Sequence, residues 1–173
     1  MYRIETGDIF IVFNKESFFH KVIGAITGKS NGMKAGHVFM YLFDDLIIEA
    51  SVRYGVNIRN MPSFKPNKHI VYRARLVGGM HSDYQHYLVR LALLKVRYKY
   101  SFLQILLLLF KYVFGIKHIP DASKKAVICS ELIADLYNEI GIKLFDKPSY
   151  EVVPKDYLKN INLVVMAYDY RAE

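Results

Sequence analysis

Residue 129 is the only cysteine in a chain of 173 residues. It stands in "AVICSELIADLYNEIGI" (126–142), where a short apolar lead-in runs into the thiol and an amphipathic pattern starts directly after it. Leu132, Ile133, Leu136, Tyr137 and Ile140 fall on one helical face, and Glu131, Asp135, Asn138 and Glu139 on the other. The spacing predicts a helix over 130–140 that ends at Gly141, with Cys129 at or just before its first turn. Unsatisfied N–H groups and the helix dipole favour a thiolate there, and the same N–H groups can hold an oxyanion. A thiolate nucleophile needs a base, and the base needs an orienting group. Two polar residues interrupt apolar strands far upstream: His37 in "AGHVFMYL" and Glu49 in "LIIEAS". A histidine that opens an apolar strand lies at the rim of the core, and an ionised Glu inside a strand is costly unless paired. A hydrogen bond between the two accounts for both. Each residue also has an ordinary reading: Cys129 as a small core side chain, His37 and Glu49 as polar strand-end residues.

Register decides whether His37 and Glu49 can meet, because side chains alternate across a strand. A two-residue turn at Asp44–Asp45 would pair Met40 with Glu49 and turn His37 and Glu49 to opposite faces. A three-residue loop shifts the pairing by one and places both on one face. Asp-Asp lacks the Gly that two-residue hairpins prefer, so the longer loop is the expectation, and a Cys–His–Glu site requires the shift.

The elements that must position these residues follow from periodicity. "GDIFIVF" (7–13) reads as a buried strand, "SFFHKVIGAITG" (17–28) as a capped helix, and "HVFMYLF" (37–43) with "LIIEAS" (46–51) as a hairpin. "GVNIRNM" and "HIVYRAR" (69–75) read as strands, and 82–97 and 101–115 as helices. Residues 116–127 read as a basic loop, "VPKDYLKN" as a short turn and 161–170 as a closing strand. No linker divides the chain, so residues 1–173 read as one domain. Strands and helices do not alternate strictly, which predicts α+β.

Composition narrows the function classes. Hydrophobic residues are 53% of the chain, enough for a core and too many for disorder. Lys and Arg number 24 against 16 Asp and Glu, a net charge of +8 that favours anionic partners. No nucleic-acid-binding motif accompanies it, so nucleic acid is not expected. One cysteine excludes a disulfide framework and a Cys-based zinc site. His81 and His86 are spaced i, i+5, not i, i+4 as on a zinc helix. "GKS" (28–30) lacks the Gly at position 23 that a phosphate loop needs. Neither a metal nor another cofactor is expected. "MYRIETGDIFIVF" has no signal-peptide pattern, which predicts a cytoplasmic protein.

Taken together, "GDIFIVF", "GHVFMYL…IIEAS", "ICSELIADLYNEIGI" and "VPKDYL" resemble the permuted branch of the NlpC-like papain-fold cysteine hydrolases, the YiiX/YaeF type. The likeness runs from about residue 7 to 160, and the order His37, Glu49, Cys129 is that of the permuted branch. It implies a papain-like core in which an antiparallel sheet or small barrel packs on the cysteine helix. It implies Cys129 as nucleophile, His37 as base and Glu49 as the orienting residue of an amidase or peptidase. Relatives often carry an active-site tyrosine upstream of the cysteine, which points to Tyr100 and, less directly, Tyr98 in "RYKYSF".

The branch is also similar to lecithin retinol acyltransferase-like enzymes, which act on lipid acyl groups. One segment bears on that alternative. "FLQILLLLFKYVFGI" (102–116) is apolar nearly all round and has basic flanks, and at fifteen residues it is short for a membrane span. Its first reading is a fully buried core helix. Its second is a helix that lies on an anionic membrane or walls an acyl pocket. The expected substrate is a peptide or acyl amide, with a lipid acyl group, or binding without chemistry, as the alternatives.

Overall fold

The computed structural model describes residues 3–14, 35–62, 69–122 and 125–168. Six strands form one antiparallel sheet in the order β4-β3-β2-β1-β5-β8. They are β1 (Ile9–Asn14), β2 (His37–Phe43), β3 (Leu46–Ser51), β4 (Gly55–Asn60), β5 (His69–Leu76) and β8 (Leu163–Ala167). Three helices follow β5: α1 (Ser82–Lys95), α2 (Phe102–Phe114) and α3 (Cys129–Glu139). Two short strands, β6 (Lys99–Tyr100) and β7 (Ala126–Val127), pair in parallel, with Tyr100 opposite Val127. The helix expected over 17–28, and the "GKS" within reach of it, lie outside the described residues.

β1 sits near the middle of the sheet, and both its faces are buried, which explains its unbroken apolar run. Ile9, Ile11 and Phe13 join the main core, where α3 packs on β2 and β3. Phe10 and Val12 point the other way, into a second cluster with Phe39, Ile47 and Val71. "VPKDYLKN" forms a 3-10 turn (Pro154–Lys159) whose Tyr157 hydroxyl donates to the Ser130 carbonyl at 2.7 Å. The Ser130 hydroxyl donates to the Val152 carbonyl at 2.6 Å. At the other end of α3, the Tyr137 hydroxyl donates to the Gly7 carbonyl at 2.6 Å. The cysteine helix is thus fastened at both ends by buried hydrogen bonds, whose loss would leave desolvated groups unpaired.

Two expectations are corrected. The Asp44–Asp45 turn has two residues, not three, and both carry left-handed φ angles, 45° and 59°. This is the primed turn geometry that suits the twist of a hairpin, and Asp tolerates it without Gly. The polar face of α3 is divided: Asn138 and Glu139 are exposed, but Glu131 is 3% exposed, and burial pushes its carboxyl up to about 8. Its Oε2 accepts the Ile128 N–H at 3.2 Å and so caps the helix from inside. Finally, α2 is not a buried core helix. Only Gln104 and Leu108 of its thirteen residues are buried, and its large apolar side chains are mostly exposed. An all-round apolar sequence does not say which sides other elements cover, and here they cover one stripe.

Candidate active site

The hairpin places His37 and Glu49 together by a device other than a longer loop. Beyond the two-residue turn, Phe43 pairs with Leu46, but Tyr41 pairs with Ile47 and Met40 with Ile48. Leu42 is the extra residue of a β-bulge, and it shifts the register by one. Its carbonyl is taken by the Thr6 hydroxyl. Continuing the register sets Glu49 opposite Phe39, two residues from His37 on the same side of β2. His37 Nε2 lies 2.8 Å from Glu49 Oε2.

His37 opens β2 at the rim of the sheet, so its ring reaches beyond the strand's own face. It is in hydrogen-bonding contact with the Cys129 thiol. Because Nε2 serves Glu49, Nδ1 is the nitrogen left for sulfur. Cys129 is the first residue of α3, after the extended Ile128, and is itself buried. Its N–H and that of Ser130 belong to the first turn, where no intrahelical acceptor exists.

The electrostatics match this geometry. Burial pulls the His37 imidazole down, but it is outweighed by the hydrogen bond and charge of Cys129 and by those of Glu49, which together raise it from 6.5 to about 10. Burial pushes the Glu49 carboxyl up, but the hydrogen bonds and charges of His37 and Arg59 hold it at about 2, below its ordinary 4.5. Nε2 therefore carries a proton, and the Glu49 carboxylate accepts it.

Arg59 was not singled out from the sequence. Its Nε donates to Glu49 Oε1 at 2.6 Å and its Nη2 to Oε2 at 3.2 Å, a two-pronged hold on a carboxylate that is itself 6% exposed. The signal was present in strand alternation. Asn57 faces Glu49 across β3–β4, and Arg59 lies two residues further along the same side of β4. Arg59 completes the compensation that a buried carboxylate requires.

Tyr100 is brought to the site. Burial, then the charge of Cys129, pushes its phenol up beyond the normal range, which keeps it a neutral hydrogen-bond donor. Tyr98 is placed elsewhere: its ring lies 5.7 Å from Lys95 Nζ, and its carbonyl accepts the Val56 N–H at 2.8 Å. That carbonyl would sit 2.3 Å from a Cβ at residue 55, so glycine is required there for β6, which carries Tyr100, to dock on β4.

The shifts of His37 and Glu49 predict a pH profile for stability. A raised imidazole contributes fully below 6.5, and its contribution is lost as pH rises through about 10. A lowered carboxyl contributes fully above 4.5, and its contribution is lost as pH falls through about 2. The melting temperature of the wild type should therefore exceed that of a His37→Ala/Glu49→Gln variant most between pH 4.5 and 6.5, and the gap should narrow toward pH 10. Thermal melts across pH check this, and a gap that does not change with pH would contradict it.

No family model and no curated protein matches the chain. The crystal structure of metalloprotein yiiX from Escherichia coli O157:H7, DUF1105, is similar over 98% of this chain and 99% of its own, with a TM-score of 0.71 at 16% identity. The sheet, the helices packed on it and this likeness together give the chain a YiiX-like α+β fold.

Proposed function

We propose that the protein is a cysteine hydrolase of papain-like mechanism that transfers an acyl group from an amide or ester to its own Cys129 and then to water or another acceptor. The observation that carries this reading is His37, held by Glu49 at 2.8 Å on one side and in contact with the helix-terminal Cys129 on the other. A buried, strand-held Glu–His pair is costly in a merely structural role. Beside a thiol at a helix N-terminus it is the base and orienter that thiol chemistry needs.

In the first step the Cys129 proton goes to His37 Nδ1, and the thiolate attacks the substrate carbonyl. The oxyanion is received by the Cys129 N–H, with the Tyr100 hydroxyl as candidate second donor. The C–N or C–O bond then breaks, and the His37 proton leaves with the amine or alcohol. Water attacks the thioester with His37 as base, and the acid and the free thiol are released. Throughout, Glu49 keeps the ring oriented and compensates its positive charge, and Arg59 keeps Glu49 ionised.

The structural neighbour is a metalloprotein, and the donor set here is not that of a metal centre. Among the described residues no group of three His, Cys, Asp or Glu side chains could hold one. Both Glu49 oxygens are engaged by Arg59 and one also by His37. A guanidinium bound to a carboxylate repels a divalent cation, so these residues do not fit a metal centre.

One observation favours a lipid acyl group over a peptide. Tyr100, beside Cys129, makes an edge contact with Phe102 at 5.6 Å between ring centroids, and Phe102 belongs to the exposed apolar helix α2. The site therefore continues into an apolar surface.

The test is direct observation of the acyl-enzyme. The protein is incubated with an N-acyl amide, a short peptide amide and a phospholipid in separate reactions, quenched in acid and digested. Mass spectrometry should find the acyl mass on the Cys129 peptide with at least one of them, and no such mass in Cys129→Ala. If none forms, and native Cys129 reacts with iodoacetamide no faster than in urea, the enzyme reading fails.

A further inference from the structure

Helix α2 is built inside out. Its cap Ser101 and its polar side chains Gln104 and Lys111 are engaged on the protein side. Ser101 Oγ caps the helix by accepting the Gln104 N–H at 3.2 Å. Gln104 Nε2 donates to the Tyr150 carbonyl at 3.0 Å, and its Oε1 accepts the Ala122 N–H at 2.9 Å. Lys111 Nζ pairs with the buried Glu151 and donates to the Lys117 carbonyl at 3.0 Å. Glu151 Oε1 accepts the Ile119 N–H at 3.2 Å. The outward side carries Leu103, Leu106, Phe110, Val113 and Phe114, all exposed, the last two at 64% and 67%. A helix that meets water shows the opposite pattern, and a continuous apolar face of this kind marks a surface with a non-aqueous partner.

Charge selects the partner. Between residues 84 and 120 there are six Lys and Arg and no Asp or Glu. Arg97 and Lys99 lie exposed just before the helix, and Lys117 just after it. A second copy of this surface would bring these like charges together. An anionic lipid surface complements them and accepts the apolar face. A helix of thirteen residues is about 20 Å long, well short of a bilayer core of about 30 Å, and no described helix is long and apolar enough to cross a membrane. The orientation that fits is in the plane of the interface.

We propose that the outer face of α2, with the flanking Arg97, Lys99 and Lys117, docks the protein on the surface of an anionic membrane. The contact of Phe102 with Tyr100 then sets the Cys129 side of the molecule at the lipid headgroups. Docking stands on the α2 surface and does not depend on chemistry at Cys129.

The test is flotation of the full chain with phosphatidylcholine vesicles, with or without about 30 mol % phosphatidylglycerol. At low salt the wild type should float with the anionic vesicles, stay behind with pure phosphatidylcholine, and be released by high salt. Leu106→Ser/Phe110→Ser should lower the partition coefficient about ten-fold or more. Lys99→Gln/Lys117→Gln should lower it about five-fold per charge. Neither pair lies in the core, and unchanged melting curves confirm the fold. Cys129→Ala should float like the wild type, which separates failure of docking from failure of the thiol reading. Absent flotation at low salt, equal flotation on neutral vesicles, or flotation indifferent to both pairs each overturns the proposal. So does a dimer in solution that the apolar pair converts to monomer without any vesicle binding, which would make this face a self-association surface.

Discussion

His37→Ala is expected to slow alkylation of Cys129 by iodoacetamide at about pH 6.5 by roughly 10- to 100-fold. An ordinary thiol, titrating near 8.5, is about 1% ionised at that pH, and the variant should behave like one. In the wild type, the hydrogen bond between Cys129 and His37 gives the thiol proton a place to go as the sulfur attacks the reagent. Acyl-enzyme formation should fall further, by about 10²- to 10⁴-fold, since the leaving group also loses its proton donor. The stopped alkylation rate, measured by mass at fixed times, checks the first figure. Equal rates in wild type and variant would mean that His37 does not act on Cys129.

Glu49→Gln is expected to lower turnover by as much as about 10⁴-fold, the cost of losing the carboxylate of a catalytic triad. Gln is nearly isosteric, so the loss reports charge rather than shape. Without the carboxylate, His37 loses one of the two partners that raise it, and the alkaline limb of the pH–rate profile should move down from about 10 toward 6.5. A purely structural role for Glu49 would lower stability and leave that limb in place. Arg59→Met offers a graded comparison. Arg59 is 42% exposed and holds Glu49. Its loss should cost about ten-fold, within the range of an exposed orienting contact, and should move the acid limb upward as Glu49 rises from about 2 toward 4.5. The two limbs thus respond to different residues, which separates the orienter from the residue that orients it.

The candidate residues stood out because each was anomalous in its local pattern. Cys129 precedes an amphipathic helix, and His37 and Glu49 break apolar strands. The helix, the hairpin and the closing strand were legible for the same reason, since period is a local property. Arg59 was missed because an arginine in an edge strand is ordinary, and its importance appears only once β4 is paired with β3. The register was read correctly as the condition for the site and assigned to the wrong cause. The bulge at Leu42 depends on Thr6 and on the hydrogen bonds that β1 and its lead-in make to β2. A turn read on its own cannot report them.

The sequence by itself determined the order of Cys129, His37 and Glu49 as candidates, the helix that follows the thiol and the strands that carry His37 and Glu49. These depend on residue type and short-range spacing. The tertiary structure decided which strand positions face each other, that Arg59 closes on Glu49, that Glu131 is buried, and that α2 turns its apolar side outward. Register and burial are set by contacts between segments far apart in the chain. The same apolar run is a core helix when both its sides are covered and an exposed surface when only its Gln104–Leu108 stripe is.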